Sequence, residues 1–447
     1  MQVDGHQGRV RRVAQQVREH FERRQPVHIT KGGEHHVVPL PGDRRFVNRP
    51  VDISALDRVL EIDPQKRRCV CEPGVSFRRL VEATLEHGLI PKVVPELEGI
   101  TVGGAVAGCS IEAMSYRHGG FHDSCLEYEV IAGDGSLVRC GPDREPLLFG
   151  MLHGSYGTLG ILGRVTFELV PAGPFVHMEY RHLPTLEAFW QELEQRCAAG
   201  DYELIDGIIH SPRQFTLCLG RFVEWAPYVS DYRREAIFYR SAARLQEDYL
   251  STVDYCFRYD TECHWLTRTV PPLQWRPVRR AVGRWFLGSS NLIRWSNRLS
   301  RVLALKRRPD VVCDVFIPRD RFAEFYRWYE RDFDFFPLWI VPYRMPGVYP
   351  WVAQEHGRAL RQDAPGDLVI DCAVYGKPNN RPHVDYSRLL EDKTFELNGI
   401  KTLISRNHYS EERFWQIYNR PNYEAAKARL DPAGIFPDLY QTFGRVE

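Results

Sequence analysis

The 447-residue chain has no excess of charge of either sign: 59 Lys and Arg stand against 58 Asp and Glu, for a formal net charge of +1. A general polyanion binder carries a strongly basic balance, so nucleic acid is not an expected partner. No apolar run approaches the roughly 18 residues of a membrane-spanning helix. The opening MQVDGHQGRVRRVAQQVREHFERR has no apolar stretch of signal-peptide length. The eleven cysteines are odd in number and include no C-x-x-C pair, so free thiols in a reducing compartment are expected rather than a disulfide framework. His35 and His36 are adjacent, but no second cluster has ligand spacing, and no metal site is expected. A Rossmann G-x-G-x-x-G is also missing, which excludes a separate dinucleotide fold of that kind.

What is present is a folded composition, 43% hydrophobic and 26% charged, in a chain too long for one ordinary core. Two or three domains are expected. Ten Trp and twenty-one Tyr suit a large apolar or planar ligand, although large cores also use aromatics. The chain is organised around residues 95–121, PELEGITVGGAVAGCSIEAMSYRHGGF. Gly103, Gly104 and Gly108 let a backbone come close to a ligand, and successive N–H groups from Thr101 to Gly104 can cradle a pyrophosphate. The alternative reading of the same glycines is tight packing of a helix on a sheet.

Residues 127–140, EYEVIAGDGSLVRC, have a hairpin signature, with apolar alternation on either side of Gly-Asp-Gly. Residues 153–171, HGSYGTLGILGRVTFELVP, form a second glycine-rich turn running into a β-branched strand. Together PELEGITVGGAVAG, SYRHGGF, VIAGDGSLVRC and YGTLGI resemble the FAD-binding domain of the vanillyl-alcohol-oxidase (PCMH-type) flavoproteins. The late segments HYSEERFWQIYN, 408–419, and AGIFPDLY, 433–440, are similar to the C-terminal end of the delta-24 sterol reductase (24-dehydrocholesterol reductase) branch of that superfamily.

The resemblance implies an α+β fold: a PCMH-type two-subdomain FAD-binding domain over 1–172, an α+β substrate/cap domain over 173–400, and a segment, 401–447, returning to the FAD domain. It implies non-covalent FAD; Glu34 after Gly32 and Gly33 departs from the motif through which some members attach FAD to a His, here His35 or His36. Pro95, Thr101, Val102, Gly103, Gly104 and Gly108 fall in the matching cradle. Ser110, Ile111, Ser115, His118 and Gly119 match the segment along the isoalloxazine and ribityl portions, with a packed imidazole as the other reading of His118. Gly157, Thr158, Gly160 and Ile161 match the turn near the adenine half. NAD(P)H is the implied transient reductant, NADH and NADPH both open. The implied activity is an FAD-dependent oxidoreductase acting on CH–CH groups, which reduces a carbon–carbon double bond of a sterol-like or acyl lipid. The alternative is an FAD-linked oxidase or dehydrogenase of an alcohol or hydroxy acid.

Reducing an isolated double bond needs a hydride at one carbon and a proton at the other, the proton from a well-placed acid. Tyr409 matches a Tyr of the sterol-reductase C-terminal motif and is the first candidate, with His408 and Glu112 as local alternatives. Helices are predicted at 10–24, 77–87, 146–152, 185–198 and 321–329, and strands at 311–318 and 367–376. Cys69 and Cys71 are expected to share one face of a strand. Residues 276–309 interleave ten Lys and Arg with Trp285, Phe286, Trp295 and aliphatics, and contain no Asp or Glu. Such a surface suits an anionic membrane, or is a helix pair with solvated arginines. Eukaryotic sterol reductases carry a membrane-anchoring N-terminal segment; the opening here has no such stretch, so a cytoplasmic or peripheral-membrane location is expected.

Overall fold

The computed structural model describes residues 2–32, 49–298, 311–361, 368–378, 381 and 383–443. The His35–His36 pair and the part of the basic stretch over 299–310 lie outside them.

The amphipathic helix Gln2–Glu22 buries Val10, Val13 and Val17 as one stripe. It is pinned to the body at Glu72, a buried carboxylate that receives His6 Nδ1 at 2.7 Å, Arg9 Nε at 2.9 Å and the Arg58 N–H at 2.9 Å. A short parallel pair follows, β1 (Val27–Thr30) on β2 (Arg49–Asp52).

The first large sheet is built from β3 (Val59–Asp63), β4 (Arg68–Cys71), β5 (Leu89–Pro91), β6 (Cys125–Ile131), β7 (Leu137–Cys140) and β8 (Ile161–Pro171), in the order β3–β4–β8–β6–β7 with β5 also on β8. The pairs are antiparallel. β6 and β7 are the expected hairpin, with Val130 opposite Val138 and Gly135 at φ +77° in the turn. Cys69 and Cys71 are fully buried and share a face. The helix Phe77–Leu85 buries Phe77, Leu80, Val81 and Thr84, and Ser76 caps it by accepting the Arg79 N–H.

The second sheet comprises β9 (Phe175–Leu183), β10 (Leu204–Ser211), β11 (Gln214–Val223), β12 (Glu247–Ser251), β13 (Val311–Pro318), β14 (Leu338–Arg344), β15 (Leu368–Lys377) and β16 (Ile400–Lys401). Its order is β12–β9–β11–β10–β14–β15–β13–β16, and its pairs are antiparallel. β15 is buried at every residue because both faces are covered. One face, with Ile205, Leu217, Ile340, Cys372 and Val315, packs under the helices Leu186–Ala199, Phe322–Trp328 and Tyr386–Glu396. The other, with Tyr180, Cys218, Trp339, Val341, Val369 and Ala373, joins a core shared with the first sheet.

The C-terminal stretch lies against the first sheet's end of the molecule. Leu430 O accepts the Gly133 N–H at 2.6 Å, and Lys427 Nζ donates to Thr158 O at 2.7 Å. A Cβ on Gly133 would stand 2.4 Å from Asp431, so glycine is required for this contact.

Candidate functional site

The glycine stretch forms the short helix Val102–Ala107, capped by Thr101, whose hydroxyl accepts the Gly104 N–H at 3.4 Å. The expectation of free amides here needs correction. The Val102 N–H donates to Val75 O at 2.9 Å and the Gly103 N–H to Pro73 O at 2.8 Å, so both are committed to the main chain. Gly103 is glycine because an added Cβ would come within 2.7 Å of Pro73 Cβ. At this residue the packing reading holds. Gly104 meets only the Thr101 hydroxyl at 3.2 Å and faces a more open space.

The chain then turns back. Cys109 has φ +54°, and the Ser110 carbonyl accepts the Phe121 N–H at 2.9 Å, closing the loop that carries Ile111, Ser115, His118 and Gly119. Ser115 is buried, its hydroxyl accepting the Glu112 N–H at 2.9 Å. Gly119, at φ +77°, leaves room for Asp123, which takes the Gly120 N–H at 2.7 Å. His118 is driven down to about 4 by burial, with Lys92 and Arg117 adding repulsion, so its imidazole is neutral. Gly157, at φ +79°, and the buried Thr158 make the second turn, and Gly160 packs against Val130 and Ile131 of β6.

Parts of both glycine-rich segments form one wall of a cavity, and of the expected flavin contacts Gly108 and Ile111 line it. Gly108, Cys109, Ile111, Gly154 and Tyr156 supply that wall. The opposite wall comes from the second sheet and the chain after it: Phe316 of β13, Tyr343 of β14, Val369 of β15, and Ile400, Lys401 and Thr402. Tyr349, Trp351 and Tyr418 complete it. The lining is mostly apolar, with aromatic rings available to stack on a planar group. Its polar groups are few. The Tyr343 and Tyr349 hydroxyls bond each other, and Tyr349 donates to Asp123 at 2.7 Å. Tyr156 accepts the Leu403 N–H at 3.1 Å. Trp351 Nε1 is buried without a hydrogen-bond partner. An apolar slot with glycine on one side, aromatics on the other and an orphaned N–H donor fits a flavin ring, which is planar and edged with acceptors.

The three acid candidates are placed differently. Glu112 is buried, pushed up to about 7 chiefly by desolvation, and bound to the equally buried Arg258 at 2.8 Å. Arg258 continues to Asp206 of β10 at 3.1 Å, so Glu112 ties the glycine segment to the second sheet. The His408 N–H donates to Glu391 at 2.9 Å, and burial holds its imidazole below the ordinary value. Tyr409 is 1% exposed, its hydroxyl has no hydrogen-bond partner, and burial raises it well above the ordinary phenol. It is not part of the cavity wall. Sequence reasoning missed Asp314 and Asp371, which lie beside that wall. Each sits in a strand-like apolar run, VVCDVFIP and LVIDCAVYG, and an acid inside such a run was the available signal.

The basic stretch is only partly as expected. Arg279 is buried, its guanidinium on Glu262 and on the carbonyls of Tyr232 at 3.0 Å and Ala236 at 2.9 Å, so it is a structural ion pair and neither solvated nor a lipid contact. Arg276 and Arg280 both engage Glu235. Trp275, Trp285 and Phe286 are exposed beside them, at 62%, 50% and 37%. No helix among the described residues is long and apolar enough to cross a membrane.

Comparison with known proteins gives two kinds of match. Residues 8–141 match the FAD binding domain family. Human Delta(24)-sterol reductase is 24% identical over 449 aligned residues, which cover 97% of this chain and 86% of the human protein. The Delta(24)-sterol reductase homolog of Caenorhabditis elegans is 22% identical over 87% of this chain and 77% of its own length. Cytokinin dehydrogenase 6 of rice is 33% identical, but over 31% of this chain and 27% of its own.

Proposed function

We propose that this chain, which carries an FAD binding domain and is similar to Delta(24)-sterol reductases over almost its full length, reduces a carbon–carbon double bond of a sterol-like or acyl lipid, with NAD(P)H as transient donor. One observation carries the choice. Likeness to the dehydrogenase is confined to about a third of the chain, whereas likeness to the reductases runs through both walls of the cavity. The second wall is what a substrate meets, so it is the part that separates reductase from dehydrogenase.

Bound FAD would supply the hydride chemistry; the residues here bind, orient and enclose. The proposed contacts are Pro95, Thr101, Val102, Gly104, Gly108, Ser110, Ile111, Ser115, His118, Gly119, Gly157, Thr158, Gly160 and Ile161, with Gly103 contributing clearance against Pro73 rather than an amide. The proposed domains are a two-subdomain FAD-binding unit over 1–172, a substrate/cap unit over 173–400 and a returning segment over 401–447. The division of strands between two sheets supports this, as do the contacts of Leu430 and Lys427 near the first. Tyr409 is the proton donor the family match suggests; with its hydroxyl outside the cavity wall, an acid opening on the cavity is the stronger candidate. Peripheral contact with an anionic membrane through 276–309 is part of the proposal, with Trp275, Trp285 and Phe286 inserting and the exposed basic side chains, Arg279 excepted, on headgroups. Flotation with anionic liposomes at low salt, absent with neutral ones, tests that contact.

The central test is anaerobic. NADPH or NADH should bleach the bound flavin, and desmosterol should restore its absorbance with one equivalent of saturated product. Flavin that stays oxidised with both nucleotides, or is reoxidised only by oxygen, overturns the reductase reading.

A further inference from the structure

On β13 and β15 side chains alternate between the two faces of the second sheet. Cys313, Val315, Cys372 and Val374 point to the helix-covered side, whereas Val312, Phe316, Val369, Ala373 and Tyr375 pack on the core shared with the first sheet. Asp314 and Asp371 therefore point with the second set, toward the flavin side. The register puts Phe316 opposite Asp371 and Ala373 opposite Asp314, so the carboxyls are diagonal neighbours, roughly 7–8 Å apart at their Cα atoms. Phe316 and Val369 flank Asp371 on that face and line the cavity.

A hydroxyl connects the pair to the cavity. Thr402, also in the lining, accepts the Asp314 N–H at 3.2 Å, and its Oγ1 is 3.4 Å from Asp314 Oδ2. Tyr375 donates to the other oxygen of Asp314. The Tyr375 ring stacks at 4.0 Å on His264, whose Nε2 is 3.1 Å from Glu96 Oε1. Asp371 Oδ1 is buried without a hydrogen-bond partner.

Among the described residues neither aspartate has an ion pair. Lys401, in the same wall, is held by Glu391 at 2.8 Å. No group of three His, Cys, Asp or Glu among the described residues is set up to hold a metal. The groups facing Asp314 are Asp371 and Tyr375 from β15, Thr402, Glu96 before the glycine segment, and Tyr156 of the opposite wall. Two enclosed carboxyls without a cation between them cannot both ionise, so at least one proton stays. Desolvation first, then the Glu96 charge, pushes Asp314 up to about 7; Asp371 is driven well above its ordinary value, by burial first and then by Asp314.

We propose that the Asp314–Asp371 pair is the proton source for the double-bond reduction and delivers through the Thr402 hydroxyl. The inference rests on the reductase reading above. The Thr402 Oγ proton forms a C–H bond with the π electrons at one alkene carbon, and the other carbon would take the hydride that bound, reduced FAD would supply. Thr402 regains its proton from Asp314, and the carboxylate left behind is reprotonated from water. The π bond breaks and two C–H bonds form, so the carbons gain the two electrons the cofactor loses.

The test has two independent readouts on the FAD-loaded protein. Infrared titration should show the C=O stretch of a protonated carboxyl at pH 6, fading toward pH 8 and diminished in Asp314→Asn. Stopped-flow reoxidation of reduced flavin by desmosterol, referenced to the NADPH reduction rate of the same variant, should fall about 100-fold or more in Asp314→Asn and in Thr402→Val. Thr402→Ser, which keeps the hydroxyl, should recover most of the rate, and Tyr409→Phe should stay near wild type. The wild-type rate should decline as pH rises through 7, and the Asp314→Asn residue rate should not. Wild-type reoxidation in both Asp314→Asn and Thr402→Val, or no protonated-carboxyl band, overturns the proposal. If wild-type flavin ignores desmosterol while the band is present, the reductase reading has failed and not the proton pair.

Discussion

Two sets of buried acids lie on the core-facing side of the second sheet, and they are neutralised in opposite ways. Glu112 and Asp206 share Arg258, whose guanidinium also lies over the rings of Tyr255 at 4.2 Å and Tyr259 at 4.8 Å. Asp206 further accepts Trp339 Nε1 at 2.7 Å and the Tyr259 hydroxyl at 3.2 Å. Asp314 and Asp371 have hydroxyl donors and an orphaned oxygen, but no ion pair among the described residues. With a cation in place, buried acids become a clamp between the glycine segment and the sheet. With a proton in its place, they become a reservoir, because the neutralising charge can leave.

Removing the cation should break the clamp and give the largest effect. Arg258→Met leaves two buried carboxylates unpaired and should cost about 3–5 kcal/mol in denaturant unfolding. Adding Glu112→Gln and Asp206→Asn to that variant should restore a large part of it. Lack of recovery would mean that Arg258 acts through packing on the tyrosines.

The reservoir should reveal itself in the pH dependence of stability. The folded value of Asp314, about 7, is above the ordinary 3.8, so the native state holds a proton the unfolded chain releases. That contribution is intact below about pH 4 and is lost as pH rises through 7. Asp314→Asn should therefore flatten the decline, on the order of 2–4 kcal/mol, and be the more stable protein at pH 8. A parallel decline in both proteins would assign the proton elsewhere.

Gly103→Ala sharpens the comparison at the glycine segment the clamp holds. Its methyl group would press on Pro73 and should cost about 1–3 kcal/mol, with flavin lost more readily on dilution. The smallest effect should come from the exposed cluster. Glu235→Gln releases Arg276 and Arg280 to solvent and should leave the thermal midpoint within experimental scatter, since surface ion pairs contribute little.

Much of the local structure was legible from residues alone. The helix Phe77–Leu85 followed from its apolar spacing, and the β6–β7 hairpin from alternation around Gly-Asp-Gly. β13 matched its expected bounds, Val311–Pro318. The turns near the cavity were recognisable because glycine at positive φ leaves a local signature, as at Gly119 and Gly157. The role of Arg279 was not legible. A run of arginines reads as surface, and only the fold supplied Glu262 and two carbonyls to one of them.

The chain by itself determined where helices, turns and strands would form and that a flavin-type glycine framework was present, because these depend on neighbours in sequence: propensity, capping and alternation. Tertiary structure decided which amides were free and which acids were neutralised. The Gly103 N–H is committed because Pro73 happens to lie across from it. Asp206 and Asp371 face the same core from one sheet, and they differ because Arg258 reaches the first while no cation among the described residues pairs with the second. Burial and pairing are properties of a place, and residues distant along the chain create that place only when it folds.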